Sequence, residues 1–282
     1  MHTTIISADQ LSHNLQHPDW VIIDCRYSLQ DPEYGQNQYS QSHIPNAVFA
    51  NMNTDLSASV IAGKTGRHPL PEIDALVQTF SKWGIDKTTQ VVVYDDTIGA
   101  FAARLWWLLR WLGHEQTAVL DGGWKHWLQK SLAVNQEIRT SHFRNFVPSL
   151  CPELLINADD VLTILDNPDF CILDARTEDR FRGENETIDS IGGHIPNAVP
   201  APFMQNTDSN GLFLSREQLK NRFQMLLAGV DPANAVFYCG SGVTACHNIL
   251  AFKYAGWGEG KLYAGSWSEW ITDSNRPIAT GS

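Results

Sequence analysis

Short apolar runs rich in β-branched residues recur along the chain, among them Val21-Ile-Ile, Val91-Val-Val, Cys171-Ile-Leu and Ala235-Val-Phe. None alternates cleanly between apolar and polar positions. That pattern suits strands buried on both faces, as in a parallel sheet. Longer stretches of helical character separate them. Ala100 to Leu112 is rich in Ala, Leu and Trp and stops at Gly113, and Thr244 to Ala255 stops at Gly256. A glycine just past the last turn ends a helix readily, because it takes the left-handed conformation without strain. Strands alternating with helices require right-handed crossovers and predict a three-layer α/β unit.

The chain repeats itself. His43-Ile-Pro-Asn-Ala-Val48 recurs letter for letter as His194-Ile-Pro-Asn-Ala-Val199. Upstream of each copy an apolar run ends in Asp-x-Arg, as Asp24-Cys-Arg26 and Asp174-Ala-Arg176. Downstream, Val91-Val-Val-Tyr94 matches Ala235-Val-Phe-Tyr238, and Gly122-Gly-Trp124 matches Gly265-Ser-Trp267. Ordered landmarks at a nearly constant offset define a tandem duplication, with a first domain over 1–134 and a second over 155–282. Between them, 135–154 is polar, aperiodic and contains prolines, and reads as a linker.

Composition narrows the function classes. Of 282 residues, 43% are hydrophobic and 18% charged, ordinary for globular domains and enough for a core without staples. Most of the ten Trp lie between Trp106 and Trp127 or at equivalent places near the C-terminus, and read as core. The formal charge of −11 argues against a sequence-independent nucleic-acid binder and against docking to an anionic membrane. No signal peptide is visible at the N-terminus, and no apolar run reaches the length of a membrane span. The five cysteines, Cys25, Cys151, Cys171, Cys239 and Cys246, are odd in number and lack C-x-x-C spacing. They fit neither a disulfide framework nor a zinc site, so a reducing cytoplasm is expected, with no metal and no cofactor.

The two copies differ at the end of one strand. Copy two reads Tyr238-Cys239-Gly-Ser-Gly-Val-Thr244, whereas copy one has Asp95 in place of the cysteine. Ligands of open parallel sheets bind beyond the carboxyl ends of the strands, which puts Cys239 at the usual place for chemistry. Gly240 and Gly242 permit a tight loop, and the amides from Gly240 through Val243 and Thr244 can turn inward as an anion-binding nest. The following helix adds its positive end, and both effects favour the nucleophilic thiolate. The alternative is a buried cysteine acting as a small hydrophobe. Cys246, two helical turns on, reads as core, as do Cys25 and Cys171. His247 reads as a surface or packing residue of the helix. Asp95 cannot act as a sulfur nucleophile, so copy one is expected to do no chemistry of its own.

Taken together, the tandem Asp-x-Arg and His-Ile-Pro units, with a strand-ending cysteine in the second copy only, resemble the two-domain rhodanese superfamily over essentially the whole chain. The resemblance implies two tandem rhodanese-like domains, each a parallel sheet flanked by helices on both faces. The loop Cys239-Gly-Ser-Gly-Val-Thr-Ala245 is similar to that of 3-mercaptopyruvate sulfurtransferases, while thiosulfate sulfurtransferases of the rhodanese type carry basic residues after the cysteine. The implied reaction moves a sulfur atom from a small-molecule donor to Cys239, as a persulfide, and on to a small thiol, a thioredoxin-like protein or cyanide.

By the same resemblance Arg180, in Asp179-Arg-Phe-Arg-Gly183, binds the donor's carboxylate through its guanidinium fork, with Arg182 the structural neighbour. The segment Glu184–Ser190 holds no basic residue, where animal-type relatives carry a second arginine. The Ser241 hydroxyl can hydrogen-bond a keto group or the transferred sulfur. His43 is implied as a proton relay to Ser241, with Asp31 or Glu33 to orient it. The competing reading is that His43 and His194 make the same structural turn. A cysteine phosphatase needs an arginine where Ala245 stands, and Gly240-Ser-Gly242 lacks the third glycine of a dinucleotide loop. Thiosulfate as donor, and a non-catalytic persulfide carrier, are the alternatives that stand.

Overall fold

The computed structural model describes residues 1–281. The chain forms two compact units. The first comprises Met1–Ala58, Leu70–Cys151 and Ser209–Phe213; the second comprises Ser59–Pro69, Pro152–Asp208 and Leu214–Ser282. The division follows packing and not a single cut: residues 59–69 belong to the second unit, and the irregular stretch 135–151 to the first. That stretch is held by main-chain hydrogen bonds, such as Arg144 N–H to Ser81 O and Cys151 N–H to Trp111 O, and it buries Phe146. It is therefore part of the first unit and not a solvated tether.

In the first unit the elements run β1 (Ile5–Ile6), α1 (Ala8–Ser12), β2 (Trp20–Asp24), α2 (Tyr34–Gln41), β3 (Ala47–Phe49), α3 (Ile73–Lys82), β4 (Gln90–Tyr94), α4 (Ala102–Trp111), β5 (Thr117–Leu120) and α5 (Gly123–Gln129). The strands form one sheet in the order β1-β5-β4-β2-β3, every pair parallel. Every residue of β4 and β5 is buried, as the absence of alternation required. Helix α4 is buried along its whole length, and Trp106 and Trp107 lie in the core.

The second unit repeats the plan. Its elements are β6 (Leu155–Ile156), α6 (Ala158–Ile164), β7 (Cys171–Asp174), α7 (Glu178–Arg182), β8 (Val199–Pro200), α8 (Arg216–Leu227), β9 (Ala235–Tyr238), α9 (Thr244–Tyr254), β10 (Lys261–Tyr263) and α10 (Ser266–Trp270). The order β6-β10-β9-β7-β8 is that of the first sheet, again all parallel.

The repeated sequence signatures are the joints of each unit. Asp24 accepts hydrogen bonds from the Arg26 amide (3.0 Å), the Arg26 guanidinium (2.6 Å) and the Tyr94 hydroxyl (2.8 Å), all buried. The Tyr94 oxygen in turn accepts the Ile44 amide of the His-Ile-Pro turn. Asp174, Arg176 and the Ile195–Tyr238 bond reproduce this arrangement in the second unit. Removing one member of a buried ion pair costs about 3–5 kcal/mol, because the partner charge is left uncompensated. The joint therefore fixes the strand end that carries each loop.

Candidate active site

Cys239 follows the last residue of β9, and the five residues from Cys239 to Val243 lead into α9. The loop is clamped from the start of α10. The Cys239 amide donates to Ser266 Oγ (3.0 Å), while the amides of Trp267 and Ser268 donate to the carbonyls of Cys239 (3.0 Å) and Gly240 (2.9 Å). Gly242 sits at φ +73°, and a Cβ there would stand 2.2 Å from Ala264 O, so only glycine closes the turn. Cys239, Gly240, Ser241, Gly242 and Val243 are buried and Thr244 half-buried. Cys246 is wholly buried and its thiol donates to Gly242 O (3.3 Å) beneath the loop.

The first unit shows what such a loop does with an anion. Asp95 occupies the corresponding place, after β4, and the Trp124 amide donates to its carbonyl (2.7 Å) as Trp267 does to that of Cys239. Its buried carboxylate accepts the amides of Thr97 (2.8 Å), Gly99 (2.9 Å), Phe101 (2.8 Å) and Ala102 (2.8 Å). Burial still raises its affinity for a proton above that of an ordinary aspartate, and the amides pull it back down. The nest predicted for the cysteine loop is thus filled in the first unit by the chain's own side chain.

Residues 59–69 bring two side chains to the cysteine loop. His68 Nδ1 and Ser241 Oγ are hydrogen-bonded at 2.8 Å, both buried. Arg67 is tied down by its own amide, which donates to Ser268 Oγ (3.0 Å), and by an ion pair with Asp189. Arg180 stands beside it. Its Nε and Nη2 donate to Glu186 (3.0 and 2.9 Å), and Nη2 also reaches Asp189 Oδ2 (3.1 Å). Burial works against ionisation of Glu186, yet the Arg180 guanidinium and the amides of Asp189 and Ile188 hold its carboxyl below the usual range. For Asp189 burial wins over Arg67 and Arg180, and its carboxyl is shifted upward.

His43 is placed differently from the expectation. Its ring stacks on Tyr39 (4.0 Å between centroids), with Nδ1 at 2.7 Å from Tyr39 O and Nε2 at 3.1 Å from Glu137 O. His194 stacks in the same way on Phe181 (3.7 Å), with Nδ1 at 2.8 Å from Phe181 O. Both histidines also pair main chain to main chain with a trailing segment, at Asn135 and Ala279. His43 is therefore a structural turn residue, since both ring nitrogens face carbonyl oxygens inside its own unit. The histidine that the structure brings to Ser241 is His68. His247 is fully buried, with Asn206 at its ring nitrogen (3.1 Å), and is not a surface residue. Arg182 is paired at the surface with Glu184 and Glu178. Among the described residues no cluster of His, Cys, Asp and Glu suits a metal ion, and no helix is long and apolar enough to cross a membrane.

Two parallel-sheet units of one plan, one with an anion nest closed by Asp95 and the other with a thiol in its place, define the class. The sequence profile of the rhodanese-like domain matches residues 7–130 and 157–273, and the chain belongs to that family. It is 48% identical to a Pseudomonas aeruginosa protein named "Probable 3-mercaptopyruvate sulfurtransferase", over 98% of both chains. It is 33% identical to the "Thiosulfate/3-mercaptopyruvate sulfurtransferase 1, mitochondrial" of Arabidopsis thaliana, over 97% of this chain and 77% of that one. Among solved structures, the 3-mercaptopyruvate sulfurtransferase of Leishmania major superposes with a TM-score of 0.85 at 30% identity, covering 98% of this chain and 76% of that one.

Proposed function

We propose that this protein is a sulfurtransferase that takes sulfur from 3-mercaptopyruvate, holds it as a persulfide on Cys239 and gives it to a thiol. The observation that carries the reading is the Cys239 loop, with a nucleophile at the strand end and the Ser241–His68 pair within the same unit. The Cys239 thiolate attacks the donor's sulfur, so that an S–S bond forms and the donor's C–S bond breaks. The electron pair of that bond stays with carbon as pyruvate enolate, and the donor's thiol proton stays on the outer sulfur. The amides of Gly240 to Thr244 stabilise the anionic sulfur in each state. Ser241, hydrogen-bonded to His68, hands a proton to the enolate and is reprotonated through His68, which takes the proton from solvent. An acceptor thiolate then attacks the outer sulfur, and Cys239 leaves as thiolate. A small thiol or a thioredoxin-like protein fits that step, and free cysteines fit a reducing compartment.

Thiosulfate is the second donor to weigh, because two arginines border the loop. Their charges are matched by Glu186 and Asp189, which favours a monoanion over a dianion. The test is a comparison of donors with one acceptor: kcat/KM for 3-mercaptopyruvate is expected to exceed that for thiosulfate, and a ratio clearly below one contradicts the assignment. His68→Ala is expected to lower kcat about 100-fold, as loss of a positioned acid–base group does, with a much smaller change in KM. It should also remove one limb of the kcat pH profile. Native kcat and profile in that variant contradict the relay.

A further inference from the structure

We infer that Arg67 is a second carboxylate-binding residue of the donor site, paired with Arg180 across a shared Asp189, and that this charge-balanced pair selects a singly charged donor. The inference rests on the 3-mercaptopyruvate reading above. A Cβ built on Gly240, next to the nucleophile, would stand 2.7 Å from Arg67 Nη2 and 3.6 Å from Arg180 Nη2. Both guanidiniums therefore border the residue that follows Cys239, and the missing side chain at 240 is the space they face.

Their remaining donors point to a ligand. Arg67 spends Nη1 on Asp189, its Nε is buried without a partner, and its Nη2 makes no hydrogen bond among the described residues. Arg180 commits Nε and Nη2 to Glu186 and Asp189, and its Nη1 is likewise unbonded. At the Gly240 space, then, Arg67 presents an unbonded Nη2 beside the Nη2 of Arg180, with Asp189 Oδ2 at its edge. A carboxylate accepts from several such donors at once. Asp189, whose side chain is 3% exposed, orients both arginines by giving one oxygen to each. With Glu186 it also cancels their charge, so the site recognises an anion by direction of hydrogen bonds and not by excess positive charge. A dianion gains less there, because its second charge meets the two carboxylates.

The test is steady-state kinetics with 3-mercaptopyruvate and with thiosulfate on the native chain, Arg67→Gln, Asp189→Asn and the double variant. Arg67→Gln is expected to raise KM for 3-mercaptopyruvate about 10-fold or more, the weight of a charge-assisted hydrogen bond, with kcat within about 3-fold. Asp189→Asn is expected to raise the thiosulfate to 3-mercaptopyruvate ratio of kcat/KM about 10-fold. The double variant separates contact from scaffolding. If Arg67 only neutralises Asp189, removing both charges restores KM; if it binds donor, KM stays high. Arg67→Lys, which keeps the charge and loses the fork, serves should the glutamine variant not fold, and its KM is expected to rise several-fold. A KM within about twofold of native in the Arg67 variants, or its recovery in the double variant, overturns the inference. A native chain that turns over thiosulfate but not 3-mercaptopyruvate overturns the donor reading instead.

Discussion

Cys239→Ser is expected to lose sulfur transfer by about a thousandfold or more with either donor, while Cys246→Ser keeps most of it. The hydroxyl is close in size to the thiol and leaves the clamp of Ser266, Trp267 and Ser268 in place, so the variant should melt like the native protein. What it lacks is a polarisable anionic sulfur that can carry a second sulfur atom. Cys246 is equally buried, but its thiol is spent on the Gly242 carbonyl beneath the loop. A donor assay beside a thermal melt checks the pair. Substantial transfer by the Cys239 variant contradicts the mechanism.

Gly242→Ala is expected to cost about 2–4 kcal/mol of stability and to lower kcat/KM about 100-fold. Two effects add. An alanine at φ +73° pays about 1–2 kcal/mol for the left-handed conformation, and its Cβ would meet Ala264 O at 2.2 Å and the carbonyl carbon at 2.9 Å. Those atoms are backbone and cannot swing aside, so the loop must shift, and with it the amides around Cys239. Gly240→Ala makes the contrast. Its Cβ is crowded only by the flexible tip of Arg67, with Arg180 Nη2 and Asp189 Oδ2 at ordinary contact distance, so stability should change little and the loss should appear in KM. Melting and kinetics of the two variants side by side check the distinction, and equal effects contradict it.

The duplication made most of the fold legible. Asp-x-Arg, His-Ile-Pro and the Trp that follows β5 and β10 recur because each unit needs the same joint at the same strand end, and local bonds within one copy make that joint. The same logic exposes the misplaced histidine. A residue repeated in both copies serves what both copies share, and His43 and His194 share a stacked turn. Asp95 was legible as a difference between the copies but not as the filler of its own nest, because the four amides that bind it carry no side-chain signature.

His68 and Arg67 escaped for the opposite reason. They lie 173 and 122 residues from the partners they meet in the second unit, in a stretch without helix or strand. Nothing in periodicity or composition marks such a segment. One signal is available: Arg67 and His68, ahead of α3, have no basic match in Ser209–Leu214, the stretch that stands ahead of α8 in the second copy. Arg180 is marked by the resemblance, whereas its carboxylate partners Glu186 and Asp189 lie in a segment that the sequence distinguishes only by its lack of a basic residue.

The most direct measurement is mass spectrometry of the native chain after exposure to 3-mercaptopyruvate without an acceptor, followed by peptide mapping. The peptide that contains Cys239 should be heavier by one sulfur atom, return to its original mass when a thiol is added, and stay unchanged in the Cys239→Ser variant. A Cys239 peptide that never gains sulfur, or sulfur that settles on another cysteine, contradicts the account.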